Sequence, residues 1–136
     1  MRLALDLDLP LISLIDTGGA ALSKEAEEGG LAGEIARSLF EMVALPVPTV
    51  CVLLGQGTGG GAIALMPADR VISAQHSWLS PLPPEGASAI LYRTSERAPE
   101  MAERQRVRAL DLLADGQGPF GHFPIAGVRQ VYFALA

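Results

Sequence analysis

Val47-Pro-Thr-Val-Cys-Val-Leu-Leu-Gly-Gln-Gly-Thr-Gly-Gly-Gly-Ala-Ile-Ala-Leu-Met-Pro-Ala-Asp-Arg-Val71 is the stretch whose reading decides the fold. Thr49 to Leu54 is an aliphatic, β-branched run with the composition of a buried strand. A turn of almost nothing but glycine follows from Gly55 to Ala62, then a short helix over Ile63–Met66 that Pro67 stops. Arg70–Ala74 returns as a further strand. Strand, turn, helix, strand in this order predicts an α/β fold with parallel pairing.

Working outward, Leu11–Ile15 reads as another buried strand, entered from helical turns over Met1–Leu9 that Pro10 breaks. Asp16-Thr17-Gly18-Gly19-Ala20 forms a tight turn at its end, the place where α/β sheets usually bind ligands. Ser23 suits an N-cap, with Glu25, Glu27 and Glu28 at the positive end of the dipole. From Leu31, the positions Ile35, Leu39 and Met42, flanked by Ala32, Ala36, Phe40 and Val43, recur every three or four residues and predict one buried helix face. Gly29-Gly30 implies that this helix starts after them or that something approaches the backbone there. Downstream, Ser80-Pro-Leu-Pro-Pro84 links to a helix over Glu85–Tyr92, and a longer amphipathic helix runs from Glu96 to Ala114. Beyond Asp115 no period is recognisable.

A chain of 136 residues, 49% hydrophobic, with mean hydropathy +0.32, holds the core of one domain. Its net charge of −5 argues against a nucleic-acid partner. No stretch approaches the length of a membrane span and the acidic start is no signal peptide, so a cytoplasmic protein without a membrane partner is expected. The single cysteine, Cys51, lies inside an apolar run, which excludes a disulfide framework or metal cluster and gives it no catalytic role. Arg93, Arg97, Arg104, Arg106 and Arg108 form either a solvated face or a docking surface for an anion or a partner.

The glycine turn admits several chemistries. Gly55, Gly57 and Gly60 satisfy G-x-G-x-x-G, but the helix is too short for a dinucleotide unit, and Gln75 and His76 stand where the ribose-binding acid belongs. A phosphate loop needs a lysine, and the only one is Lys24; no G-x-S-x-G elbow occurs. What remains is a helix start whose N–H groups at Gly60, Gly61 and Ala62 can face an oxygen that gains negative charge. The alternative is that the glycines serve close backbone packing alone.

The runs IDTGGAALSKEAEEGGLAGEIARSLFEM, VPTVCVLLGQGTGGGAIALMPADRV and SPLPPEGASAILYR, in this order and spacing, resemble the carboxyltransferase component of biotin-dependent acyl-CoA carboxylases, its alpha-subunit-like half. The likeness covers about Leu9 to Leu113. It implies a crotonase fold, a superhelix of ββα repeats, incomplete here. Residues 1–115 would be an N-terminally truncated carboxyltransferase domain, and 116–136 an atypical tail from a shifted reading frame. By this resemblance Gly60, Gly61 and Ala62 form a backbone oxyanion hole. Gly18, Gly19, Ala20, Gly57, Thr58, Gly59, Pro84, Glu85 and Gly86 would contact biotin or substrate, and no metal is involved. The family pattern Asp-Thr-Pro-Gly-Ala is broken by Gly18, which loosens that turn.

The implied reaction moves a carboxyl group from carboxybiotin to acetyl-CoA to give malonyl-CoA for fatty acid synthesis. Carbon dioxide leaves carboxybiotin, and the biotin enolate takes the α-proton of the acyl-CoA. Carboxybiotin rides on a biotin carboxyl carrier protein, since no Met-Lys-Met is present, and a CoA-binding beta-like half completes an oligomer. His76 is read as structural, and Glu85 either positions the biotin or caps its helix. A malonyl or methylmalonyl thioester decarboxylase subunit, and a non-catalytic truncated fragment, are the alternatives.

Overall fold

A computed structural model describes residues 1–21 and 23–114, with backbone alone for 112–114, and the backbone of 130–134. The elements are α1 (Arg2–Asp6), β1 (Leu11–Thr17), α2 (Lys24–Glu28), α3 (Leu31–Ala44), β2 (Thr49–Thr58), α4 (Gly59–Leu65), β3 (Arg70–Ala74), β4 (Trp78–Ser80), α5 (Pro84–Tyr92), α6 (Ala98–Gln105), α7 (Ala109–Ala114) and β5 (Gln130–Ala134). All strand ladders are parallel, in the order β1-β2-β3-β5, with β4 also on β2. The expected α/β class with parallel pairing is what forms.

β2 governs the architecture because it serves two neighbours in succession. Val50–Leu53 pairs with Arg70–Ser73 of β3, and Gln56–Thr58 then pairs with Trp78–Ser80 of β4. At the changeover the register with β1 slips, from Ile15 against Leu53 to Thr17 against Gly57. Asp16 repairs the gap: its Oδ1 accepts the Gln56 N–H at 2.9 Å. Gly55 makes room for that carboxylate, since a Cβ there would stand 2.6 Å from Asp16 Oδ1.

One face of the sheet is covered by α4, and Ile15, Cys51, Leu53, Ala62, Met66, Ala68, Val71 and Leu79 form the buried core. The opposite face leaves Ile12, Leu14 and Leu54 more than half exposed. Asp69 ties the start of β2 to the entry of β3. Its carboxylate accepts from the Thr49 N–H at 2.9 Å and the Thr49 hydroxyl at 3.2 Å, and its own N–H donates to that hydroxyl at 2.8 Å.

Several boundaries differ from the sequence reading. Asp16 and Thr17 belong to β1 rather than to a turn, and Gly55–Thr58 continues β2. Ser23 caps α2 as expected, its hydroxyl accepting from Ala26 N–H, while Gly30 at φ +81° separates α2 from α3. The face predicted for α3 is only partly covered: Met42 is buried, but Phe40 is 73% and Val43 45% exposed. The single helix expected over Glu96–Ala114 is two, because Arg106 turns left-handed at φ +51° and Val107 and Arg108 run beside β4 instead. There the Leu79 N–H donates to the Val107 carbonyl and the Ala109 N–H to the Ser77 carbonyl. β5, unforeseen in the aperiodic tail, pairs with β3 along Arg70–Ala74.

Candidate functional site

The end of β2 and the start of α4 carry the candidate site. Thr58 is the N-cap of α4 with extended backbone, yet its side chain makes no capping hydrogen bond. Its hydroxyl is buried and has no partner among the described residues. Gly59 at φ +73° bends the chain into the helix, a conformation that costs little only for glycine. In a helix opened at Thr58 the cap carbonyl takes its bond from the fourth helical residue, which is Ala62. The donors left free by helix geometry are therefore those of Gly59, Gly60 and Gly61, which shifts the expected set by one residue: Gly59 joins it and Ala62, whose side chain sits in the core at 1% exposure, leaves it.

The glycines of this run are required for different reasons. A Cβ on Gly57 would stand 2.8 Å from Cδ1 of both Leu53 and Leu79 and 3.1 Å from the Trp78 carbonyl oxygen. Close packing explains that one. A Cβ on Gly60 would press on Ile35 Cγ2 of α3 at 3.1 Å, whereas one on Gly61 would meet nothing within 4 Å. Gly60 is exposed, and beside Gly61 a small hollow of about 160 Å³ opens toward Ile35 and Ser38.

The structure brings the two glycine segments together. A Cβ on Gly18 would stand 3.1 Å from Gln56 Oε1, and one on Gly19, at φ +113°, 3.4 Å from Thr58 Cγ2. Ala20 follows them, exposed. Pro84, Glu85 and Gly86 do not join this group. They form the first turn of α5, and Pro84 and Glu85 line a separate cavity with Trp78, Pro99, Val107 and Arg108. Gly86 packs against Leu82 and Pro83 of its own turn. Sequence reasoning missed β4 and that cavity; the isolated Trp78, set between a strand and a proline-rich link, was the available signal.

The remaining candidates are structural or remote. Cys51 is fully buried in the core, its Sγ 3.5 Å from Met66 Sδ, and burial pushes its thiol above the usual pKa. His76 is exposed in the turn between β3 and β4. Arg108 holds Asp111 through bonds of 2.8 and 3.1 Å, which lowers the Asp111 carboxyl and raises the guanidinium. Arg97 and Arg104 pair with Glu100, and Arg97 lies over the Tyr92 ring, so this arginine-rich segment is largely neutralised within itself. Among the described residues no group of His, Cys, Asp and Glu could hold a metal, and no helix is long and apolar enough to cross a membrane.

The sequence profile described as acetyl co-enzyme A carboxylase carboxyltransferase-like matches residues 1–116. A probable biotin-dependent acyl-coenzyme A carboxylase beta3 subunit of Mycobacterium bovis is 53% identical over 99% of this chain, which covers 28% of that protein. An acetyl-coenzyme A carboxylase carboxyl transferase subunit alpha of Pelodictyon phaeoclathratiforme is 46% identical over 85% of this chain and is covered to 35%. The chain thus spans about a third of the relatives it matches. Among solved structures, transcarboxylase 12S superposes with a TM-score of 0.70 at 24% identity, over 81% of this chain and 23% of that one. A Pseudomonas malonate decarboxylase hetero-dimer gives 0.72 at 15% identity, over 98% and 53%. At those identities the superpositions show the fold, and it is the crotonase-like one.

Proposed function

Because this chain belongs to the acetyl co-enzyme A carboxylase carboxyltransferase family, we propose that it supplies one half of the site at which a carboxyl group passes between biotin and acetyl-CoA to give malonyl-CoA. The observation that carries the reading is the first turn of α4, where the Thr58 side chain makes no capping bond and Gly59, Gly60 and Gly61 add no side chains of their own. The Gly60 and Gly61 N–H groups, backed by the positive end of a short helix, suit an oxygen whose negative charge grows during transfer. Losing one costs about 3 kcal/mol of transition-state stabilisation.

Carboxybiotin, delivered on a carrier protein, supplies the carboxyl group. This chain's residues contribute charge stabilisation and shape: Gly60 and Gly61 donate, Gly59 sets the helix start, and Gly18 and Gly19 line the neighbouring wall against Gln56 and Thr58. A CoA-binding half completes the site, in keeping with the subunit names of the relatives and the hetero-dimer among the superposed structures. The test combines the chain with such a half, malonyl-CoA and biocytin. Biocytin-dependent conversion of malonyl-CoA to acetyl-CoA is expected, and its absence with both halves folded overturns the reading.

A further inference from the structure

Gln56 stands near the C-terminal end of β2, the strand between β1 and β3, where α/β sheets bind ligands. Its backbone is fixed there by the 2.9 Å bond from its N–H to Asp16 Oδ1. Its side chain is exposed and makes no hydrogen bond with the described residues. At the end of the same strand the buried Thr58 hydroxyl also lacks a partner among them. Gly18 is what lets the Gln56 amide lie where it does. A Cβ on Gly18 would meet one atom within 4 Å, Gln56 Oε1 at 3.1 Å. The left-handed glycines among the described residues are Gly19, Gly30 and Gly59, so backbone conformation gives no reason for a glycine at position 18. Where the family pattern carries proline, this chain leaves a space, and the Gln56 amide takes it. That amide offers a donor and an acceptor side by side, and the Asp16 carboxylate beside it disfavours anions. The combination selects a secondary amide, whose C=O and N–H match both ends of the Gln56 side chain, over a phosphate or a carboxylate.

We propose that Gln56 is a specificity-determining residue that pairs with the pantetheine amide next to the thioester of the acyl-CoA. The proposal rests on the carboxyltransferase reading, because that reading brings an acyl-CoA to the chain. Charge makes the choice within that molecule: its phosphates are anions, whereas the amide one ethylene link from the thioester sulfur is neutral. Position fits as well, since Gly18 meets Gln56 and Gly19 meets Thr58, so the amide stands on the same wall as the entry to α4. The biotinyl-lysine arm carries an amide of the same chemistry, and the test separates the two.

The 136-residue chain, isotope-labelled for NMR, is titrated with S-acetyl-N-acetylcysteamine, an acetyl thioester that carries this amide, and with S-ethyl thioacetate, which lacks it. The amide-bearing thioester should give saturable shifts of the Gly18 and Gly19 N–H resonances. Gln56→Ala should weaken its binding about fivefold, the worth of one neutral hydrogen bond, and leave the affinity for the ethyl thioester unchanged. Gly18→Ala, whose Cβ displaces the amide, should weaken it too, but should add no loss once Gln56→Ala has removed that amide. No saturable shift, an equal loss for both thioesters, or a Gly18→Ala loss indifferent to Gln56 each overturns the proposal. Tighter binding of biocytin than of the amide-bearing thioester overturns it as well, by giving Gln56 to the biotin arm. Biocytin-dependent turnover of malonyl-CoA by the two-half assembly reads out the other claim: turnover without a Gln56 effect sinks only this assignment, and a Gln56 effect without turnover sinks only the carboxyltransferase reading.

Discussion

Gly57→Ala tests whether the β2–β4 seam is as tight as the structure makes it. The added methyl would stand 2.8 Å from two leucine Cδ1 atoms, on Leu53 with no exposure and on Leu79 with 6%, and 3.1 Å from the Trp78 carbonyl. Overpacking of this kind costs about 1–3 kcal/mol. Alanine also restricts the unfolded chain, which returns about 0.4–1 kcal/mol. Taken at the middle of both ranges, the net expectation is a loss of about 1.3 kcal/mol, or about 5 °C in Tm for a chain of this size. Thermal unfolding followed by circular dichroism measures it. In a Leu79→Val background one of the two methyl clashes is gone, so the same substitution should cost at least about 0.5 kcal/mol less. A Gly57→Ala protein as stable as the wild type, or a cost indifferent to Leu79, would refute the packing argument.

Asp69→Ala removes the single oxygen, Oδ2, that accepts two hydrogen bonds from Thr49 and leaves its buried N–H unsatisfied, so urea unfolding should show a loss of about 2–3 kcal/mol; a loss below about 0.5 kcal/mol would deny Asp69 its role in joining β2 to β3. Burial raises the Cys51 thiol, so the folded protein holds that proton to higher pH than the unfolded chain does. Its contribution is complete below the unfolded value near 9.0 and is lost as pH rises through the folded one, so stability should fall more steeply above pH 9.0 in the wild type than in Cys51→Ala. Parallel slopes would contradict it. Gly61→Ala, facing open space inside a helix, should stabilise by about 0.5–1 kcal/mol, while Gly60→Ala, pressing on Ile35, should not; differential scanning calorimetry giving the reverse order would place α3 wrongly.

The strands were readable where side chains advertise them. Thr49–Leu54 and Arg70–Ala74 carry β-branched and aliphatic residues, and both form strands there. Gly55–Thr58 was not, because glycine displays no period and the pairing that makes it a strand comes from β4, only three residues long. The break at Arg106 lacked a glycine signal; it arises from the tertiary pairing of Val107 and Arg108 with β4. For α3 the sequence shows an apolar stripe but not how much of it is met, and Phe40 and Val43 stay open. At the site, spacing alone brought the glycines to a helix start, yet the helix register was off by four residues, from Ile63 to Gly59, and this is what moves Ala62 from donor to core. That Pro84 and Glu85 sit at another cavity depends on how α5 packs on α6, which local pattern does not encode.

The central claim is that the α4 first turn stabilises charge through its backbone. Replacing the Gly60 N–H by an ester oxygen removes that donor and no side chain. Since helix geometry gives this N–H no partner within α4, the Tm should hold within about 3 °C. Biocytin-dependent turnover of malonyl-CoA in the two-half assembly should fall by about 100-fold or more. Turnover within about threefold of the unmodified chain, against the tenfold per 1.36 kcal/mol that a lost donor implies, would contradict the account.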